Sequence, residues 1–267
     1  MNRPVFVVLL IVGSLGILIS FARARSRAVF DADGFVTPGR RAAAFVLLAL
    51  VLLLTVAVPF AGGLAGGGPD ASRLNLVSLF AVQGILLAFL ACYFALSGHR
   101  SPSQFLKLAS PRPVADFASG LLIGSFGWLV TLLGAAAVMA FWLALRGQIL
   151  APRAASGVPS TILWILAQPL WARLAIVVSA MVVEELFFRS FLQTRVGPLA
   201  ATLMFTAAHG VYGQPLLLVG ILVISTVMSV TFARYGNVLP CIAAHGAFDA
   251  IQMFVVIPRV AKLLSGS

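Results

Sequence analysis

Eight times along this chain the sequence runs predominantly apolar for most of a bilayer's thickness: roughly 4–22, 42–60, 76–97, 118–145, 170–192, 198–212, 215–233 and 239–258. A stretch of 18 or more apolar residues is long enough to cross a ~30 Å hydrocarbon core as an α-helix. Backbone groups in hydrocarbon must be satisfied within the segment itself, so helices are the form such runs take. The expectation is an all-α integral membrane protein with about eight transmembrane helices. Of 267 residues, 61% are apolar and 9% charged, whereas a soluble domain carries roughly 25% charged residues. Cys92 and Cys241 both stand inside apolar runs, which speaks against a zinc knuckle or a disulfide framework. The formal net charge of +11 does not point to a nucleic-acid partner. The cations are scattered between the apolar runs, as loop anchors are in a multi-pass membrane protein.

The first run could be taken for a signal peptide, but Arg23, Arg25, Arg27, Arg40 and Arg41 follow it against Arg3 before it. That asymmetry favours an uncleaved helix with this loop in the cytoplasm and both termini outside. The sixth run is the shortest. The apolar stretch 159–168 before Pro169 either extends the fifth helix behind a proline kink or lies in the interface, anchored by Trp164 and Trp171. The organisation expected is an N-terminal transmembrane region over 1–158, a second membrane unit over 159–258 and a short tail over 259–267. No internal repeat is visible.

Charges at the bilayer centre cost ~2.5–3.5 kcal/mol each, so intramembrane ionisable residues mark function by default. Here Glu184, Glu185, His209, His245 and Asp249 fall inside the apolar runs of the C-terminal half, and nothing comparable stands out in the first four. At about 100° per residue, Glu185 and Arg189 share a helix face at the favourable i,i+4 spacing, which makes them a structural ion pair and turns Glu184 elsewhere. His245 and Asp249 are also i,i+4, and Phe205 lies one turn before His209. Bringing the three helices together shelters Glu184, His209, His245 and Asp249 in one polar pocket. A carboxylate beside a histidine can hold and deprotonate water, and a second histidine with an acid can stabilise an oxyanion. Alternatively, His209 and His245 with Glu184 or Asp249 form a three-ligand set for a divalent metal such as zinc, His209, His245 and Glu184 being the set expected. Both routes lead to amide hydrolysis.

The stretches Glu184-Glu185-Leu-Phe-Phe-Arg189, Phe205-Thr-Ala-Ala-His209 and His245-Gly-Ala-Phe-Asp249 resemble the three ordered motifs of the CPBP intramembrane protease family, which includes the type II CAAX prenyl endopeptidases and bacterial Abi-type proteins. The resemblance covers roughly residues 160–257. It implies an all-helical membrane fold with an active site sunk in the bilayer. Glu184 is then the general base, His209 its partner on the water, and His245 with Asp249 the oxyanion side. Glu185, Arg189 and Phe205 are supporting residues. The resemblance leaves zinc or metal-free chemistry open. It implies a membrane-anchored peptide or membrane protein as substrate and a bacterial cytoplasmic membrane as the setting. Asp249 stands where the prenyl endopeptidases tend to have Asn, which counts against a CAAX substrate.

Blander readings compete at each position. His209 alone reads as a core histidine bonded to a carbonyl, and His245 with Asp249 as a helix-packing contact. A proton or cation relay in a transporter would use the same residues, but no broken-helix repeat accompanies them. A non-catalytic immunity or scaffold relative would be expected to have lost motif residues, and all three motifs are intact.

Overall fold

The computed structural model describes residues 30–31, 33–64, 75–146, 160–212 and 214–265. The expected first span, 4–22, and Arg3, Arg23, Arg25 and Arg27 lie outside the described residues. Every regular element among those described is helical. α1 runs Pro38–Leu64 through a π-helical stretch at Leu53–Ala57. α2 is Leu76–Leu96, α3 Pro113–Arg146 and α4 the short Ser160–Leu166. α5 is Leu170–Glu185, continued by a wide π-helical stretch, Leu186–Gln193, and a last turn, Thr194–Val196. α6 is Pro198–Ala208, ending in a 3₁₀ turn, His209–Tyr212. α7 is Pro215–Tyr235, and α8 is Leu239–Ala250, prolonged through Ile251–Val256 and Ile257–Ser265.

Local chemistry sets these boundaries. Asn75 caps α2, accepting from Ser78 N at 2.8 Å while its own backbone N–H reaches Ser78 Oγ, so two otherwise unpaired donors are satisfied. α5 stops at Gly197, whose φ of 86° suits glycine. Pro198 then opens α6 at a position where its missing N–H costs nothing.

Five of these helices are long and apolar enough to cross a membrane: Pro38–Leu64, Leu76–Leu96, Pro113–Val138, Leu217–Tyr235 and Leu239–Val260. Eight crossings are expected from the sequence, and the helices at the remaining described positions differ for physical reasons. α5 carries Arg173, Glu184, Glu185 and Arg189 along its length. α6 has 11 residues, about 16 Å at 1.5 Å per residue, roughly half the hydrocarbon thickness. It packs on α7 and on the π-helical part of α5 instead of spanning alone. Residues 160–166 form their own helix ahead of the Pro169 break.

The outward face is apolar, as lipid requires: Leu122 is 74%, Phe126 66% and Phe141 65% exposed along α3. An integral membrane protein explains such a surface; a soluble protein seldom exposes a contiguous apolar face of this kind. The inner face of α3 is lined by small residues. A Cβ added at Gly120 or Gly124 would overlap the Pro240 or Ala244 carbonyl of α8, so the two helices lie backbone to backbone. Likewise a Cβ at Gly63 of α1 would overlap the carbonyl of Gly210, just after the α6 histidine.

Phe89 and Tyr93 of α2 meet Phe187 and Phe191 of α5 edge to face, at centroid distances of 4.6–5.6 Å. Beside this aromatic core sits a buried charge cluster made of residues that the sequence shows only as loop positions or helix ends. Arg195, at the end of α5, donates to both oxygens of Asp33, which also accepts from Tyr93 Oη at 2.7 Å and His99 Nε2 at 2.9 Å. The Arg195 guanidinium lies 4.0 Å from the Phe191 ring centroid. Burial alone would raise the Asp33 carboxyl, but the Arg195 charge and the hydrogen bonds from Arg195, His99 and Tyr93 hold it below its ordinary value.

Candidate functional site

α5 packs on both α2 and α8. It presents its two adjacent glutamates to opposite environments. Glu185 is fully buried. Its Oε2 accepts from Arg189 Nε at 3.1 Å, the i,i+4 contact expected from the spacing. Its Oε1 faces His245 Nδ1 of α8 at 2.9 Å, a contact the sequence spacing does not disclose. Arg189 is held further by Ser225 Oγ of α7 at 3.0 Å and by the Phe205 ring, 4.9 Å away. Glu185 thus ties α5, α7 and α8 together.

Glu184 faces a cavity of about 230 Å³. Its Oε1 accepts from Gln83 Nε2 of α2 at 2.9 Å, and its Oε2 lies 3.9 Å from His209 Nε2. His209 sits where α6 tightens into its 3₁₀ turn, with Nδ1 2.9 Å from the Phe205 carbonyl. A carbonyl only accepts, so Nδ1 carries a proton, and Nε2 is the ring nitrogen that faces Glu184. Phe205 fixes this arrangement from both sides, through its carbonyl and through its ring, 4.6 Å from the imidazole centroid.

In the same cavity His245 Nε2 stands 3.3 Å from Asp249 Oδ2. Gly246, next to His245, allows Met181 of α5 to pack closely there, since its Sδ would overlap an added Cβ. Leu79, Phe80, Ile176, Ile221, Ile224 and Met253 make the walls apolar, with Tyr212 and Gln252 as further polar members. Trp128 Nε1 of α3 donates to Gln252 Oε1 at 3.0 Å.

Glu184, His209, His245 and Asp249 all line this one cavity. The three-ligand metal set of His209, His245 and Glu184 does not assemble. Both nitrogens of His245 face carboxylates, and among the described residues no three His, Cys, Asp or Glu side chains are grouped to hold an ion. As arranged, these donors do not fit a three-ligand zinc site. Nothing in the first four apolar runs stands out as diagnostic, yet α2 brings Gln83 to the site. One polar residue in the otherwise apolar face Leu79, Phe80, Gln83 was the available signal.

The site can therefore hold a water between the Glu184 carboxylate and the His209 imidazole in largely apolar surroundings. Comparison with known proteins bears on the same segment. No curated protein and no solved structure gave a match. A family model described as type II CAAX prenyl endopeptidase Rce1-like matches residues 166–251, the stretch that holds Glu184, Glu185, Arg189, His209, His245 and Asp249. Over residues 166–251, less than half of its length, this membrane protein is thus similar to the Rce1-like type II CAAX prenyl endopeptidases.

Proposed function

We propose that this protein is an intramembrane endopeptidase that hydrolyses a peptide bond close to a membrane anchor, using a water activated by Glu184 and His209. The observation that carries the reading is the 3.9 Å separation of Glu184 Oε2 and His209 Nε2 in an apolar-walled cavity. That distance is too long for a direct hydrogen bond and suits one water donating a proton to each group. In the reaction, Glu184 takes a proton as the water oxygen bonds to the substrate carbonyl carbon. The resulting oxyanion lies toward His245 and Asp249. Glu184 then gives the proton to the amide nitrogen as the C–N bond breaks. Glu185, through Nδ1, holds the His245 ring with Nε2 toward Asp249 and the cavity. No step is routed through a metal.

The anchor is the natural substrate feature, because the cavity walls are largely apolar and belong in part to helices apolar enough to cross a membrane. A lipid-modified, C-terminally anchored or bacteriocin-like peptide satisfies this equally. The test compares membranes from cells carrying wild-type protein and Glu184→Gln for polypeptides whose near-anchor termini differ in length. Substrates appear uncut only in the variant if the reading is right. Identical termini in both, at matched protein levels, would overturn it.

A further inference from the structure

An oxyanion forming in the cavity needs a hydrogen-bond donor aimed at it, and the His245–Asp249 pair has none left over. Both nitrogens of His245 face carboxylates, Nδ1 that of Glu185 and Nε2 that of Asp249, and an ionised Asp249 only accepts. Gln83 already gives its NH₂ to Glu184, and Ser179 its hydroxyl to the Ile176 carbonyl. Tyr212 is different. It lines the same cavity and is partly exposed. Its hydroxyl makes no hydrogen bond among the described residues, yet it is not one of the atoms that are shut away without a partner. The oxygen is therefore accessible.

Local backbone geometry brings it there. Tyr212 ends the 3₁₀ turn that begins at His209. With about three residues per turn, side chains at i and i+3 eclipse one another, so the phenol follows the imidazole. Their ring centroids are 6.2 Å apart, with the planes 34° from parallel. The turn lies outside the five spanning helices. Burial, and then the charges of Glu184 and Asp249, oppose ionisation of the phenol. The hydroxyl is thus within electrostatic reach of both carboxylates, and it keeps its proton, since even an ordinary phenol ionises only near pH 10. We infer that Tyr212 is a catalytic residue: its O–H donates to the carbonyl oxygen of the scissile peptide bond and holds the oxyanion as water attacks. The proton stays on Tyr212 and no covalent bond forms to it. This rests on the protease reading above and supplies the donor that His245 and Asp249, facing each other, lack.

The test uses the full-length protein in detergent micelles with a lipid-anchored fluorogenic peptide. A phosphinate peptide of the same sequence, whose tetrahedral centre carries an anionic oxygen, serves as competitor. Tyr212→Phe removes the hydroxyl and keeps the ring beside His209, whereas Tyr212→Leu removes both. Gln252, whose Oε1 accepts from Trp128, is the other cavity residue with an uncommitted donor, and Gln252→Met tests it. The expected result for Tyr212→Phe is a kcat lower by ~10²-fold, with KM and the unfolding midpoint nearly unchanged. Phosphinate binding should weaken by the same factor as kcat/KM, because both report the tetrahedral oxyanion. Wild-type turnover in Tyr212→Phe with loss in Tyr212→Leu would reduce the residue to a packing partner of His209 and overturn the assignment. So would wild-type turnover in Tyr212→Phe with loss in Gln252→Met, which moves the donor to Gln252. A raised KM with unchanged phosphinate binding also overturns it. Wild-type protein that does not cut the peptide, or cuts it no faster than Glu184→Gln, overturns the protease reading and this inference with it.

Discussion

At Glu184 and Glu185 the chain sets two carboxylates side by side and gives them different surroundings. Glu185 is fully buried between Arg189 and His245, whereas Glu184 lies on the cavity beside His209. Neutral substitutions should therefore separate. Glu184→Gln keeps the shape and removes the base, so kcat should fall by a factor of at least ~10² with an unchanged unfolding midpoint. Glu185→Gln strands a buried guanidinium, a change costing ~3–5 kcal/mol, and should lower the midpoint sharply. Equal loss of activity with normal stability in both would contradict this division. Asp249 is separable by the same logic. Asn offers an acceptor to His245 Nε2 and an NH₂ donor toward the oxyanion, so Asp249→Asn should retain most activity and Asp249→Leu should lose it. A collapse of activity in Asp249→Asn would show that a charged carboxylate is required there. Because the donors do not group as a metal site, dialysis against a chelator should leave turnover intact; loss restored by zinc would reverse that conclusion.

The helices explain which parts of the site were legible in the sequence. The three motifs are local patterns, four or five residues apart on single helices, so helical periodicity alone displays them and pairs Glu185 with Arg189. What periodicity cannot display is the distance in sequence between partners. Gln83 and Glu184 are 101 residues apart, and His245 and Glu185 are 60 apart; each pair depends on how whole helices pack. Length misleads in a similar way, because α6 is apolar and yet too short to span, being sheltered by α5 and α7. Packing of α3 on α8 is set by backbone approach at Gly120 and Gly124, which composition does not reveal. That contact supports α8 one residue from His245. Gly124→Val should overpack it, costing ~1–3 kcal/mol or more, and should lower activity along with the midpoint. Gly84→Ala, on α2 where an added Cβ meets nothing within 4 Å, should leave activity intact and gain up to ~1 kcal/mol from helix propensity. If Gly124→Val behaves like Gly84→Ala, the backbone contact does not set the site.

For the molecule as a whole, the polar cavity is a burden that must be offset elsewhere, and the Asp33 cluster is one place where elements far apart in sequence are fastened. Asp33 precedes α1, Tyr93 and His99 belong to the end of α2 and the loop after it, and Arg195 closes α5. The sequence gives no hint of this, since Asp33 and Arg195 are 162 residues apart and look like ordinary boundary charges. Removing the acid leaves Arg195 buried against Tyr93, Phe105 and Phe191 without its counter-ion. Asp33→Ala should cost about 3–5 kcal/mol at neutral pH, although Asp33 is far from the chemistry and kcat in the surviving folded fraction should be near normal. The pH dependence follows from the lowered Asp33 carboxyl. A group whose folded-state pKa is depressed contributes stability that is fully present above the ordinary carboxylate range, about 3.9 for Asp. That contribution is lost as pH falls through the folded-state value. Unfolding midpoints measured in detergent from pH 7 down to about pH 3 should therefore decline more steeply at the acid end for wild type than for Asp33→Ala, the two curves converging as the carboxyl protonates. Parallel curves would mean that Arg195 is held by its ring contacts and the Phe191 carbonyl and that the ion pair contributes nothing to fastening these elements.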